Sequence, residues 1–295
     1  MKCKVCKDKA EIYLRSHNIA LCRNDFINFF ERRVKRSIEK WKMLTHGDKI
    51  LVAVSGGKDS LGLLHLLQKL EYDVTGYYIN LGIDGYSDVS QNKVKAFSHS
   101  RGILIIIEDI RVAWDSGIGE LAKRVRRPPC SLCGMVKRYL MNRAAVKFDV
   151  MATGHNQDDE TATLLGNLLR WDEGYLARQS PVLKQKGSLK KRVKPLSFIT
   201  ERESAAYALM EGIDYIMEEC PLAKRATSLF YKGILNQLEE RMPGAKSRFF
   251  NGFLEYQKSH PLVEEEEPLV ACVRCGYLTT SEVCNFCRLE EKIKH

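Results

Sequence analysis

KILVAVSGGKDS, residues 49–60, is an apolar, β-branched run that ends in a glycine-rich turn. A short run of this kind, bounded by turn residues, is the pattern of a strand buried on both faces of a parallel sheet. The turn opens at once into helical spacing over residues 59–70. A strand, a small-residue turn and a helix start together suit a bound phosphate. Gly56 and Gly57 let the backbone approach an anion, and the free N–H groups of the helix start point at it. Lys58 adds a positive charge, and Ser55 and Ser60 add hydroxyl donors. The loop is shorter than GxxxxGK[ST], so it is a different phosphate loop.

Outward from this loop, strands and helices alternate. Residues 74–80 read as a strand, 89–101 as a helix, 103–108 as a strand and 132–147 as a helix. VMATGH, residues 150–155, reads as strand and turn, with a helix over 158–169. This alternation predicts an α/β fold with a doubly wound parallel sheet. Residues 184–194 (KQKGSLKKRVK) read as a polar, basic loop. Thr200 and Glu203 form a capping box for a helix reaching about residue 211. Two more helices are expected between residues 228 and 257. Upstream, residues 29–44 (FFERRVKRSIEKWKML) combine apolar helical spacing with a basic opposite face. HPLVEEEEP, residues 260–268, is an acidic, proline-bounded linker. These breaks divide the chain into a module over 1–27, an α/β domain with a helical extension over 28–262, and a module over 268–295.

A second motif, ATGHNQDDE at residues 152–160, supplies Gly154, His155, Asn156, Asp158 and Asp159. A carboxylate here suits Mg²⁺ held against phosphates. Either Asp158 or Asp159 fits that role, and the other is free to cap the helix starting there. Cys130 and Cys133 form a C-x2-C in the basic loop KRVRRPPCSLC before a helix, and Cys220 stands alone before Pro221. Three thiolates leave a tetrahedral metal one ligand short, which suits a catalytic cluster with an open position. A persulfide on Cys130 or Cys133, resolved by Cys220, is the alternative. Lys137 lies one helical turn after Cys133 on the same face. It is placed either to meet a reacting group or as a surface lysine.

The chain has ten cysteines. Its start, MKCKVCKDKA, lacks the apolar core of a signal peptide, and no apolar run is long enough to span a membrane. A cytoplasmic protein is therefore expected, where disulfides are rare and clustered cysteines mean metal. Cys272, Cys275, Cys284 and Cys287 have the spacing of a closed structural Zn²⁺ site. Cys3, Cys6 and Cys22 form a second set, with Asp25 as the fourth ligand and His17 as its competitor. Segments this small bury little core, so the metal would supply their folding energy. Lys and Arg outnumber Asp and Glu by 47 to 37, a balance that favours a polyanion.

SGGKDS after a strand resembles the signature loop of the N-type ATP pyrophosphatases, which cleave ATP between the α- and β-phosphates. SGGKDS, PPCSLCG, ATGHNQDDE and the lone Cys220-Pro221 follow one another between a CKVC start and a four-cysteine end. This order resembles the TtuA group of tRNA 2-thiouridine synthetases over nearly the whole chain. The resemblance implies a PP-loop domain between two zinc fingers, ATP and Mg²⁺, and a [4Fe–4S] cluster on Cys130, Cys133 and Cys220. It implies nucleotide contacts from Ala53, Val54, Ser55, Gly56, Gly57, Lys58, Asp59 and Ser60, with Gly154, His155, Asn156, Asp158 and Asp159. It implies roles at the reaction centre for Asp59, Lys137 and an Asp of the second motif.

By the same resemblance, O2 of a uridine (5-methyluridine of the T-loop) is adenylated and replaced by sulfide held on the cluster's open iron. The implied partners are tRNA, a ubiquitin-like sulfur carrier ending in a thiocarboxylate, and a second copy in a homodimer. Residues 122–128 (AKRVRRP), residues 184–194 and the zinc modules are the expected grip on the tRNA backbone. The departure is Asp25, where that group usually carries His or Cys. Three rival readings share parts of the pattern. One is wobble-uridine or cytidine 2-thiolation by the same chemistry. Another is a PP-loop tRNA ligase, which has no need of central thiols. The third is a non-catalytic zinc and tRNA-binding protein, which has no need of an intact nucleotide loop.

Overall fold

The structure, a computed structural model, describes residues 1–223, 227–262 and 268–294. A hairpin of β1 (Ile12–Leu14) and β2 (Ile19–Leu21) leads into α1 (Arg23–Lys40). Then come β3 (Lys49–Val54), α2 (Lys58–Lys69), β4 (Asp73–Asn80), α3 (Ser87–Arg101) and β5 (Ile105–Asp109). Three helices follow, α4 (Arg111–Trp114), α5 (Ile118–Arg124) and α6 (Pro129–Ala145). The chain continues through β6 (Val150–Thr153), α7 (Gln157–Arg170), α8 (Glu173–Ala177), β7 (Val182–Leu183) and β8 (Lys191–Val193). Helices α9 (Glu201–Met210), α10 (Thr227–Arg241) and α11 (Ala245–Ser259) precede the C-terminal module of β9 (Val270–Ala271), β10 (Leu278–Thr279) and α12 (Asn285–Lys294).

The main sheet has the order β5-β4-β3-β6-β8-β7. Its pairs are parallel except for the edge strand β7, which runs antiparallel to β8. Side chains alternate across a strand, and β3 feeds two cores accordingly. Ile50, Val52 and Val54 pack with α1, α2 and α9 on one face, where Phe30 stacks on Tyr207 at 4.2 Å. Leu51 joins the other face with Leu132, Val136 and Leu140 of α6. The C-terminal module belongs to that second core: Phe286 stacks on Tyr139 of α6 at 3.7 Å, and the Tyr277 hydroxyl accepts from Asn142 Nδ2 at 2.8 Å.

Several boundaries differ from the sequence expectation. Helix α1 begins at Arg23, not near residue 29, with Cys22 as its N-cap and Asp25 in its first turn. The division at residue 27 therefore falls inside a helix, because the metal-type residues and the helix start are the same residues. Helix α6 begins at Pro129, so Cys130 and Cys133 sit in its first turns rather than in a preceding loop. Proline at the first helical position needs no N–H partner and has φ already set for the helix. The basic stretch 184–194 is not all loop. Lys191–Val193 form β8, and cations there are used internally: Lys194 meets Glu160 at 2.7 Å, and Arg192 meets Asn142 at 3.0 Å. Likewise Ala122 to Arg124 close α5 instead of lying in a loop. Residues 263–267 of the acidic linker lie outside the described residues. Among the described residues, no helix is long and apolar enough to cross a membrane.

Candidate active site

The chain runs from β3 outward to β4 and β5, then returns to place β6 on the other side of β3. In open α/β sheets a ligand crevice forms at such a switch point, outside the carboxyl ends of the strands. Both sequence motifs lie there. A cavity of about 340 Å³ is lined by Ala53, Val54, Ser55, Asp59 and Ser60 from one motif. Thr153, Gly154, His155 and Asp159 line it from the other, and Cys133, Lys137 and Cys220 complete the wall.

Glycines and serines fix the shape of the phosphate loop. Gly56 has φ +81°, and a Cβ there would stand 2.3 Å from Ser90 Oγ, so both conformation and space demand glycine. Ser60 Oγ accepts from the Ser55 N–H at 3.0 Å and donates to the Gly57 carbonyl at 3.1 Å. Ser90 Oγ ties the Ser55 carbonyl from α3 at 3.0 Å. Gly57 is the N-cap of α2 and carries no capping side chain, which leaves the first N–H groups of α2 to a ligand. Gly154 lets the β6–α7 turn close on this loop, since a Cβ there would lie 2.9 Å from the Ser60 backbone nitrogen.

Asn156 joins the two motifs. It is fully buried, caps α7 by accepting from the Asp159 N–H at 3.1 Å, and donates to Asp59 at 3.1 Å. Asp159 returns the capping contact to the Asn156 N–H at 3.0 Å while still lining the cavity. Burial pushes the Asp59 carboxyl above its ordinary value; Lys58 and Asn156 pull it back, and Asp159 repels it. Two carboxylates that face one cavity and repel each other fit a divalent cation. Asp158 is different. It is buried and turned away, pairing with Lys246 of α11 and accepting from the Glu201 N–H at 2.8 Å. Of the two carboxylates left open by the sequence, Asp159 faces the cavity, and Asp158 fastens α9 and α11 to α7.

His155 lies beside Asn156, with Nδ1 2.9 Å from Thr153 Oγ1. Lys58 meets Asp59 at 3.2 Å and Glu201 at 2.8 Å. Glu201 also holds Lys232 of α10 at 3.2 Å, and Lys232 reaches Asp159 at 2.6 Å. Burial works against the Lys232 charge, but Asp159 and Glu201 outweigh it and raise its pKa. Neither Glu201 nor Lys232 carries a motif. Glu201 had one indirect signal, its place at the start of the capping-box helix, and Lys232 had none.

The central thiols approach from α6 and the 220–222 segment. Cys130 Sγ donates to the Leu222 carbonyl at 3.4 Å, which ties the two segments. Burial pushes the Cys133 thiol up; Lys137 lowers it, and Cys220 and Cys130 raise it further. Cys133, Lys137 and Cys220 line one cavity, and Cys130 is tied to the 220–222 segment through Leu222; among the described residues, these three sulfurs do not gather within 4.8 Å of one another. The set fits a thiolate-bound cluster rather than a packed core: Cys130 is exposed, and Cys133 and Cys220 are half-buried.

Each terminal set gathers four ligand atoms within 4.8 Å, namely Cys272, Cys275, Cys284 and Cys287, and Cys3, Cys6, Cys22 and Asp25. Backbone N–H groups already point at sulfur, with Cys284 N–H 3.3 Å from Cys272 Sγ. That contact leads the effects that lower the Cys272 thiol to about 6, while burial opposes it. In the first set, Asp25 lies 3.0 Å from Cys3 Sγ and 3.3 Å from Cys22 Sγ. His17 is outside the set: its Nε2 is 3.4 Å from Glu203, and its ring meets the edge of Phe29.

A parallel sheet with a glycine loop and paired carboxylates at its switch point defines a PP-loop nucleotide-binding domain. The chain matches the PP-loop domain family over residues 28–225, and the N-terminal LIM domain of the 2-thiouridine synthetase TtuA over residues 2–27. It is 48% identical to the tRNA-5-methyluridine(54) 2-sulfurtransferase of Thermus thermophilus, covering 99% of this chain and 92% of that one. Its identity to the protein of the same description from Pyrococcus horikoshii is 46%, covering 98% and 93%. The U34-tRNA thiolase NcsA of Methanococcus maripaludis, solved with its [4Fe-4S] cluster, has a TM-score of 0.84 at 28% identity, covering 99% and 96%. The chain belongs to the TtuA family of PP-loop 2-thiouridine synthetases.

Proposed function

We propose that this chain is an ATP-dependent tRNA 2-sulfurtransferase acting on 5-methyluridine 54. The observation that carries the reading is one cavity that unites a phosphate loop, two facing carboxylates, Lys137 and half-buried thiols. The target base follows the relatives at 48% and 46% identity, which are described by that reaction. Wobble uridine is the second reading, favoured by the fold of the U34 thiolase at 28% identity.

Ser55 to Ser60 are the residues that would hold the phosphates of ATP, and Asp59 and Asp159 those that would hold Mg²⁺, which would supply charge neutralisation to the phosphates. O2 of the uridine attacks the α-phosphorus; the bond to the bridging oxygen breaks, and pyrophosphate leaves with the electron pair. Oxygen thereby becomes part of a good leaving group. A sulfur nucleophile then attacks C2, and AMP departs with the former O2. Lys137, beside both the thiols and the loop, neutralises charge on the departing phosphate. Cys130, Cys133 and Cys220 are the residues that would hold a [4Fe–4S] cluster, which supplies an iron site open to sulfide. The terminal sets, with Asp25 as the fourth ligand of the first, would each hold a Zn²⁺, which would supply folding energy to the modules over residues 1–27 and 268–295.

A ubiquitin-like carrier with a C-terminal thiocarboxylate as donor, a homodimer and a cytoplasmic setting complete the proposal. Exposed cations at Arg32, Lys35 and Arg36 of α1 and at Lys123, Arg124, Arg126 and Arg127 give the tRNA backbone its grip. The test is anaerobic incorporation of labelled sulfide into bulk tRNA with Mg-ATP. Label enters tRNA with the wild-type chain, and Cys130→Ser abolishes it while AMP still forms. A ligase would form AMP with no label in either protein.

A further inference from the structure

We propose that Lys232 is a second phosphate-binding cation of the nucleotide cavity, carried there by α10 and held ready by Glu201. The inference rests on the reading of the cavity as an ATP site. Five charged groups form an unbroken ladder that joins the two carboxylates lining the cavity, Asp59 and Asp159, through Lys58, Glu201 and Lys232. Its successive contacts are 3.2, 2.8, 3.2 and 2.6 Å. Glu201 uses one carboxylate oxygen for each lysine, so the cation of the glycine loop and Lys232 are set side by side. Its own place is fixed by its N–H bond to Asp158.

Lys232 is largely buried, with 17% of its side chain exposed, and a buried ammonium needs anions around it. Asp159 and Glu201 are those anions. Three carboxylates against two ammoniums leave the ladder one negative charge in excess. A divalent cation held by Asp59 and Asp159 would reverse that excess and leave both lysines to face phosphate oxygens. Lys58 belongs to the loop, and Lys232 shares a carboxylate with it. The pair therefore addresses the β- and γ-phosphates, the part of ATP that departs as pyrophosphate.

The placement of α10 is built into the fold. Tyr231 presses against α7 where residue 166 is glycine; a Cβ there would stand 2.9 Å from the Tyr231 ring. Behind α10, the buried Lys246 bonds both Asp158 of α7 and Asn236 of α10. Glu239 of α10 accepts from the Gly244 and Lys246 N–H groups and fixes the turn into α11. Asp158, turned away from the cavity, thus serves it by positioning the helix that carries Lys232.

The test is equilibrium binding of Mg-ATP, inorganic pyrophosphate and AMP to the full chain, without tRNA or a sulfur source. Lys232→Met weakens ATP and pyrophosphate by about tenfold, as loss of one charge-assisted hydrogen bond does, lowers the Tm because Asp159 and Glu201 lose their cation, and leaves AMP binding unchanged. Lys232→Arg restores most of the loss. Gly166→Ala removes no charge yet displaces α10, and gives the same selective loss. Wild-type pyrophosphate affinity in Lys232→Met, or an equal loss for AMP, overturns the role of Lys232. Unchanged ATP binding in Gly166→Ala overturns its delivery by α10. A wild-type chain that binds neither ATP nor pyrophosphate overturns the nucleotide site itself.

Discussion

Single residues divide the cavity's labour, and neighbours in sequence do different work. Asp158 and Asp159 differ by one position, yet only Asp159 faces the cavity. Asp159→Asn is expected to lower tRNA-dependent AMP formation on the order of a hundredfold through loss of the metal; assay of labelled AMP checks it. Glu203 makes a prediction about pH. It is buried, and although burial raises its pKa, His17, Arg33 and Thr200 together hold it below the ordinary value of 4.5. A carboxyl with a lowered folded pKa contributes stability that is complete above its unfolded value and lost as pH falls through the folded one. Glu203→Gln should therefore cost about 3 kcal/mol at pH 7, with a deficit that shrinks below pH 4.5. Urea melts across that range measure it. The phosphate loop and the two terminal ligand sets were legible in the sequence, because glycine, lysine and thiol chemistry at close spacing has few other uses. Glu201 and Lys232 were not, since they lie 143 and 73 positions from their partners, Lys58 and Asp159.

Elements carry these residues through close approaches more than through hydrophobic contact. The β6–α7 turn touches the start of α2 where Gly154 has no side chain. Gly154→Ala should weaken Mg-ATP by tenfold or more, on the order of the loss of one aligned donor; calorimetric titration reads it, and wild-type affinity would falsify the packing argument. The alternating strands and helices were legible because continuous apolar runs bounded by glycine mark parallel strands. The starts of α1 and α6 were harder to read. Cys22 and Asp25, and Pro129 and Cys130, are at once metal-type residues and helix openings, so one reading concealed the other. The strand β8 was hidden for a related reason: KRV is basic, and its cations find partners within the fold, Lys191 on the Lys42 carbonyl and Arg192 on Asn142.

The whole molecule joins the modules to the chemistry. The C-terminal module shares a core with α6, the helix of Cys130, Cys133 and Lys137, chiefly through Phe286 on Tyr139. Phe286→Ala should cost about 3–5 kcal/mol and loosen the central cysteines, which a lower Tm and a lower iron content after reconstitution would both reveal. The order of modules along the chain was legible from cysteine spacing alone. Their docking was not, because Trp114, Tyr139, Tyr277 and Phe286 come from three distant stretches. The central claim concerns the reaction itself. Its most direct measurement is mass spectrometry of nucleosides from unmodified tRNA treated anaerobically with the iron- and sulfide-reconstituted chain and Mg-ATP. The account predicts 2-thio-5-methyluridine, mapped to position 54 as in the relatives. A 2-thiocytidine, or AMP and pyrophosphate formed with no thionucleoside at all, would contradict it.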